Sequence, residues 1–180
     1  MEPSELKFGD IIDARNIGGR EHDHFWLVIG INKEKEKILY YKITSRVHKA
    51  FRDICLMMEK CRNKDCEIFK EYHSYEDSEI HNHTKLQDAF FLDSISNGLE
   101  KDSMISINRD PYVGDFSSIK QIFNKGSTCD RQISDVEVKK LQLALNISQN
   151  VNKGNRKIIN KCAFEVLKEI KEAIKSVSSN

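Results

Sequence analysis

Short apolar runs separated by polar turns fill the first 110 residues of the chain and predict a set of β-strands. The run 24–32 is continuously apolar, as a fully buried strand requires, whereas 36–44 is rich in β-branched and aromatic residues. The polar stretch NKEKEK between these two runs is short, so it predicts an antiparallel hairpin. The predicted strands are 8–16, 24–32, 36–44, 88–96 and 102–110.

After Pro111 the apolar spacing changes to the three- and four-residue steps of amphipathic helices. Ser134 followed by Glu137 is a capping-box signature that predicts the start of the second helix. The last helix has one apolar stripe along its length. The predicted helices are 115–126, 134–148 and 155–177, and the stripe consists of Ile159, Cys162, Ala163, Val166 and Ile170.

The chain is predicted to form a single domain over 1–180, because no repeat or Pro/Gly-rich linker divides it. Within it, 8–110 would form the β core, with a polar, irregular surface insertion near 46–87, and 115–177 a C-terminal helical extension. The N-terminus lacks a signal-peptide pattern, and no apolar stretch reaches the length of a membrane span. We therefore expect a cytoplasmic protein that does not enter a membrane.

The charge balance and the cysteine count limit how the chain could bind nucleic acid and whether it forms disulfides. The 29 Lys and Arg residues balance 28 Asp and Glu residues, so any binding of nucleic acid depends on a local basic patch. The five cysteines are scattered and odd in number, which predicts reduced thiols rather than a disulfide framework.

The order of four motifs resembles the N-terminal half of the PemK/MazF-like toxins. These motifs are the Gly9-Asp10 pair in FGDIIDARN, the loop 17–24, the apolar run that follows it, and the Thr44-Ser45 pair that ends the third strand. The resemblance implies an α+β fold: a small SH3-like antiparallel β-barrel with an insertion and C-terminal helices. It also implies a metal-independent endoribonuclease toxin that cleaves single-stranded RNA, possesses a cognate protein or RNA antitoxin, and forms a homodimer in many members.

The chemistry of RNA cleavage suggests which residues would act. A guanidinium stabilises the phosphorane, strand-end hydroxyls add neutral donors, and an imidazole exchanges protons near neutral pH. We expect the loop before the second strand and the end of the third strand to form one site. The expected catalytic residues are Arg20, His24, Thr44, Ser45 and Arg46, and the expected substrate-binding residues are Lys42, His22 and Asp93, the last through the family resemblance.

Other interpretations of the same residues stay open. A Thr-Ser-Arg sequence after a strand is often a plain turn whose hydroxyls bind nearby backbone groups. The barrel would then be an inactive relative that binds RNA or a protein partner. A third hypothesis is a zinc-dependent protein. The hypothesis that we favour, a metal-independent endoribonuclease, requires no cofactor or metal. The candidate zinc ligands are Cys55, Cys61, Cys66, His73, His81 and His83.

Overall fold

The computed structural model of the chain describes residues 1–15, 24–44, 89–92, 97–100, 103–107 and 109–178. This part contains seven strands and three α-helices, preceded by one turn of 3-10 helix. In chain order, the elements are the 3-10 turn Pro3–Glu5, β1 (Asp10–Asp13), β2 (Phe25–Asn32), β3 (Lys37–Thr44), β4 (Ala89–Leu92), β5 (Ser103–Ser106), β6 (Tyr112–Asp115), α1 (Phe116–Asn124), β7 (Thr128–Gln132), α2 (Asp135–Ile147) and α3 (Lys153–Ser178).

The strands form one antiparallel sheet in the order β4-β5-β3-β2-β1-β7. Strand β3 is long enough for its outer edge to serve two partners, β6 along Lys37–Tyr40 and β5 at Ile43 and Thr44. The predicted α+β class, with an antiparallel sheet and C-terminal helices, is confirmed. Among the described strands, however, the sheet stays open between β4 and β7, so the closed barrel implied by the family resemblance is not observed there.

The hairpin β2-β3 forms where the apolar runs predict it, and β2 is buried along most of its length. The pairing register shifts between Val28 and Gly30, which is a β-bulge. Beyond the bulge, Gly30 faces helix α3: a Cβ added there would lie 3.1 Å from Cγ2 of Ile158. The missing side chain therefore lets α3 pack closely on β2.

Gly9 turns the chain into β1 and connects the strands on both sides of it. Its φ of +95° is a left-handed conformation that favours glycine. The amide of Gly9 donates to the carbonyl of Val28 at 2.8 Å, and its own carbonyl accepts from the amide of Ile133 at 3.0 Å. Asp10 follows with a carboxylate that accepts from the amide of Lys7 at 2.7 Å. The Gly-Asp pair thus has a structural function in this fold.

Two strands lie in the region that the sequence predicts to be helical. Strand β6 precedes α1, and β7 follows it and pairs with β1 at the edge of the sheet. Both are short, and each alternates between exposed and half-buried positions, so neither has the apolar run of a core strand. Their partners lie far away in sequence, which is why local periodicity did not reveal them.

Helices α2 and α3 occupy their predicted positions and complete the hydrophobic core. The capping box is present: the hydroxyl of Ser134 accepts from the amide of Glu137, whose carboxylate accepts from the amide of Ser134. The predicted stripe of α3 is buried from Ile159 to Val166 and half-buried at Ile170. Among the described helices, none combines the length and the apolar character needed to cross a membrane.

Candidate nucleic-acid interface

The antiparallel topology brings three predicted site positions to one end of the sheet. Phe25 at the start of β2 pairs with Ile43 near the end of β3. The residue just outside each member of this pair is His24 on one strand and Thr44 on the other, so both lie at the same end of the sheet. Lys42 lies two positions before Thr44 and pairs with Trp26. The other predicted site residues lie outside the described residues: Arg20, His22, Ser45, Arg46 and Asp93.

A ladder of aromatic rings crosses the sheet beside these positions. The centroids of the Trp26 and Tyr40 rings are 4.5 Å apart, with planes inclined by 19°. The rings of Tyr40 and Tyr112, which are register partners on β3 and β6, are 5.6 Å apart and inclined by 23°. Trp26 is buried with 3% of its surface exposed, as the continuously apolar run 24–32 predicts, whereas Tyr40 and Tyr112 are half-buried. The ladder therefore begins in the core and ends at the surface.

Two cations lie against the outermost ring of this ladder. Nζ of Lys42 is 5.1 Å and Cζ of Arg109 is 5.0 Å from the ring centroid of Tyr112, both within cation–π range. The backbone next to Arg109 is held in place, because the buried hydroxyl of Tyr41 donates to the carbonyl of Arg109 at 2.7 Å. We call Tyr40, Lys42, Arg109 and Tyr112 the aromatic–cationic surface.

The electrostatics of this surface suit an anionic, aromatic ligand. Burial, reinforced by the nearby Tyr112, raises the pKa of Tyr40, so its phenol is neutral at physiological pH. The surface thus combines aromatic rings with the positive charges of Lys42 and Arg109. Nucleic acids carry both matching groups, stacking bases and phosphates.

The opposite face of the sheet carries a second cationic cluster, in which the guanidinium of Arg15 is paired with two carboxylates. Two hydrogen bonds connect the guanidinium of Arg15 to the carboxylate of Asp13, at 3.0 and 2.9 Å, and a third reaches Glu100 at 2.9 Å. Arg15 and Arg131 both stack on the ring of Phe25. The bond from Arg15 is the main cause that lowers the pKa of Asp13. This cluster therefore connects β1, β2 and β7. The charge of Arg15 is balanced by the carboxylates of Asp13 and Glu100, which disfavours its binding to phosphate.

The sequence did not single out Arg109 or Tyr112 as site residues. Tyr112 follows a proline in a stretch that the periodicity assigns to the start of the helical region, and Arg109 is one of many charged residues. Their role becomes visible only through the pairing of β6 with β3, which places Tyr112 opposite Tyr40. No local signal in the sequence reveals that pairing.

The zinc hypothesis concerns residues outside the described part of the chain, Cys55 to His83. Within the described ranges, no group of three or more His, Cys, Asp and Glu residues is arranged to hold a metal ion. Cys129 and Cys162 are free thiols there. Burial raises the pKa of both, that of Cys129 to about 12, so neither is a reactive thiolate at neutral pH.

Comparison of the chain with protein-family models, with curated proteins and with solved structures returns no match. The resemblance to PemK/MazF-like toxins thus stays a prediction from the sequence motifs.

Proposed function

We propose that this protein is a metal-independent endoribonuclease that cleaves single-stranded RNA, acting as the toxin of a toxin–antitoxin system. The observation that carries the proposal is the convergence at one end of the sheet. His24 precedes β2, Thr44 ends β3 opposite Met104 of β5, and the aromatic–cationic surface lies alongside. An imidazole, a strand-end hydroxyl residue and cations are the group types that this chemistry requires.

The reaction assigns a role to each group type. The 2′-hydroxyl oxygen forms a bond to phosphorus and loses its proton, the bond from phosphorus to the 5′-oxygen breaks, and that oxygen receives a proton. The products are a 2′,3′-cyclic phosphate and a free 5′-hydroxyl. His24 transfers protons, Thr44 and Ser45 donate hydrogen bonds to the phosphoryl group, and Arg20 and Arg46 stabilise its additional negative charge. Lys42 binds a neighbouring phosphate as a point charge.

The proposal also includes the predicted partners. A cytoplasmic ribonuclease requires restraint, so a cognate antitoxin, protein or RNA, would cover the same cations that the substrate uses. A homodimer is part of the family expectation, and analytical ultracentrifugation of the purified chain tests it directly.

The decisive experiment is an RNA cleavage assay in the presence of excess EDTA. Purified wild-type protein is incubated with a 5′-labelled single-stranded RNA, alongside His24→Ala, Thr44→Ala and Arg46→Ala variants. We expect wild-type cleavage that leaves a cyclic phosphate, and at least a hundredfold slower cleavage by His24→Ala, because general acid–base catalysis contributes about 10²–10⁴-fold. Lys139→Ala is the control, since it removes an exposed positive charge on α2.

Two results would contradict the proposal. One is cleavage that EDTA abolishes, which would indicate a metal-dependent enzyme. The other is cleavage that all three site variants perform at the wild-type rate, which would remove the assigned residues.

A second candidate function is RNA binding without cleavage. The aromatic–cationic surface favours it, because stacking rings and cations bind nucleic acid whether or not catalysis follows. Retention of a labelled RNA in a gel-shift assay, with the RNA recovered intact after prolonged incubation, would identify this function.

A further inference from the structure

We infer that Tyr112 and Arg109 form a nucleobase-stacking subsite that holds one unpaired base of the RNA beside the cleavage position. This inference rests on the proposed function for the identity of its ligand. It adds a specific contact, stacking on the outermost ring of the ladder, that the cleavage chemistry by itself does not require.

The geometry of the ladder points outward to an additional stacking position. Successive rings are nearly parallel, at 19° between Trp26 and Tyr40 and 23° between Tyr40 and Tyr112. The indole of Trp26 is buried, whereas the rings of Tyr40 and Tyr112 are both half-buried. A planar base that stacks on Tyr112 continues the same arrangement into solvent.

The guanidinium of Arg109 lies against the Tyr112 ring, where the base would stack. Within the described ranges of the chain, the contact of this guanidinium is the Tyr112 ring, with Cζ 5.0 Å from the centroid, and its residue is exposed. An exposed cation–π contact contributes about 0.5–1 kcal/mol, whereas stacking of a base on an aromatic side chain contributes about 1–3 kcal/mol. Exchanging the cation for a base is therefore favourable, and the displaced guanidinium is then close enough to bind the phosphate of the same nucleotide.

The subsite is also preorganised, which limits the entropic cost of binding. Tyr112 pairs directly with Tyr40 in the sheet, so its backbone is fixed by the ladder of hydrogen bonds between β6 and β3. The carbonyl of Arg109 accepts a hydrogen bond of 2.7 Å from the buried Tyr41 hydroxyl. Neither residue depends on a flexible backbone to face a ligand.

The cations select nucleic acid over other planar or ring-shaped ligands. Exposed aromatic rings also bind sugars, but a neutral oligosaccharide gains nothing from positive charges on the platform. The guanidinium of Arg109 lies 5.0 Å from the Tyr112 centroid, so a ligand stacked there meets a positive charge that a phosphate can pair with. A stacked base with its phosphate satisfies both features.

The test measures binding without cleavage. Fluorescence anisotropy is recorded with two labelled probes of equal length and charge, a 2′-O-methyl oligoadenosine, which lacks the attacking hydroxyl, and an abasic oligonucleotide. The variants are Tyr112→Leu, Tyr112→Phe and Arg109→Gln. Val113→Thr is the matched control, since Val113 is 55% exposed and neighbours Tyr112 on the opposite face of β6. Far-UV circular dichroism and the fluorescence of Trp26 verify that each variant is folded.

We expect wild-type protein to bind oligoadenosine at least about fivefold more tightly than the abasic probe, the equivalent of about 1 kcal/mol of stacking. Tyr112→Leu should abolish this preference, whereas Tyr112→Phe and the Val113→Thr control should retain it within about twofold. Arg109→Gln should weaken binding of both probes and reduce the salt dependence of log Kd by about one phosphate contact.

The outcomes separate the subsite from the proposed function. Equal loss of both probes in Tyr112→Leu, or no loss of either, overturns the subsite, even if wild-type protein cleaves RNA. A Tyr112-dependent preference for the base-bearing probe supports the subsite, even if wild-type protein cleaves nothing, in which case only the ribonuclease function fails. Tyr112-dependent binding of a neutral oligosaccharide, without binding of oligoadenosine, overturns it in favour of a carbohydrate ligand.

Discussion

Replacing Gly30 by valine should separate helix α3 from the sheet and destabilise the whole domain. Gly30 lies where α3 packs closely on the sheet. A Cβ at this position would lie 3.1 Å from Cγ2 of Ile158 and 3.2 Å from Cδ1 of Leu39. Optimal separations between carbon atoms are about 3.5–4.0 Å, so even the first added atom is too close, and valine adds two methyl groups beyond it.

The size of the effect depends on which neighbour can move. Leu39 is only 2% exposed and is enclosed by the core, whereas Ile158 is half-buried on α3 and can rotate towards solvent. Alanine needs a shift of a few tenths of an ångström, and the lower flexibility of its unfolded chain offsets about 0.5–1 kcal/mol of that strain. We therefore expect Gly30→Ala to be nearly neutral and Gly30→Val to cost about 1–3 kcal/mol.

Urea unfolding followed by far-UV circular dichroism measures this difference. With m-values of about 1–3 kcal/mol per M for small proteins, Gly30→Val should lower the midpoint by roughly 1 M. Ile158→Ala removes the Cγ2 that the new side chain meets. In the Gly30→Val background it should therefore cost less than in wild type, with a coupling energy of about 0.5–3 kcal/mol. An unchanged midpoint for Gly30→Val, or strictly additive single variants, would refute the steric argument.

Three further predictions concern side chains around the sheet. Asp13→Asn weakens the paired hydrogen bonds from Arg15. Because these bonds lower the pKa of Asp13, their stabilisation is present above the unfolded pKa of about 4 and is lost in stronger acid. The free energies of unfolding of variant and wild type, measured by urea titration, should therefore differ by about 1 kcal/mol at pH 7 and converge below pH 3. Asp10→Asn should instead stabilise the protein at pH 7, because burial raises the pKa of Asp10 and disfavours its ionised form. This advantage should shrink as the pH falls through the raised pKa of the folded state and be gone at about pH 4, the pKa of the unfolded chain; a lower melting temperature of the variant at pH 7 would disprove this. Ser134→Ala removes the N-cap of α2 and should cost about 1 kcal/mol in calorimetry, whereas an unchanged melting temperature would show that the bond to Glu137 contributes nothing.

Several parts of the candidate site could be anticipated from the sequence because they depend on local order along the chain. Lys42 and Thr44 end a strand that the β-rich run predicts, and His24 precedes the next apolar run, so antiparallel pairing of the two strands follows from the short polar turn between them. The role of Trp26 as a core residue follows similarly from its place within a continuous apolar run.

The local order of residues along the chain did not predict the positions of Arg109 and Tyr112. Each acquires its place from a strand pairing between segments that are distant in sequence, since β6 borders β3 only after the chain has passed through β4 and β5. Strand β7 was missed for the same reason, because its partner β1 is distant in sequence and it has no apolar run that would predict a strand.

The periodicity of apolar residues by itself determined the α+β class, the β2-β3 hairpin, the capping box of α2 and the buried stripe of α3, because each arises from neighbours within a few turns or one hairpin. Only the tertiary structure decided that the sheet remains open among its described strands and that Gly9 joins β1 to both of its neighbours. It also decided which aromatic ring ends the ladder under two cations. These features depend on contacts between remote segments, whose geometry is selected by the packing of the whole core rather than by any local pattern.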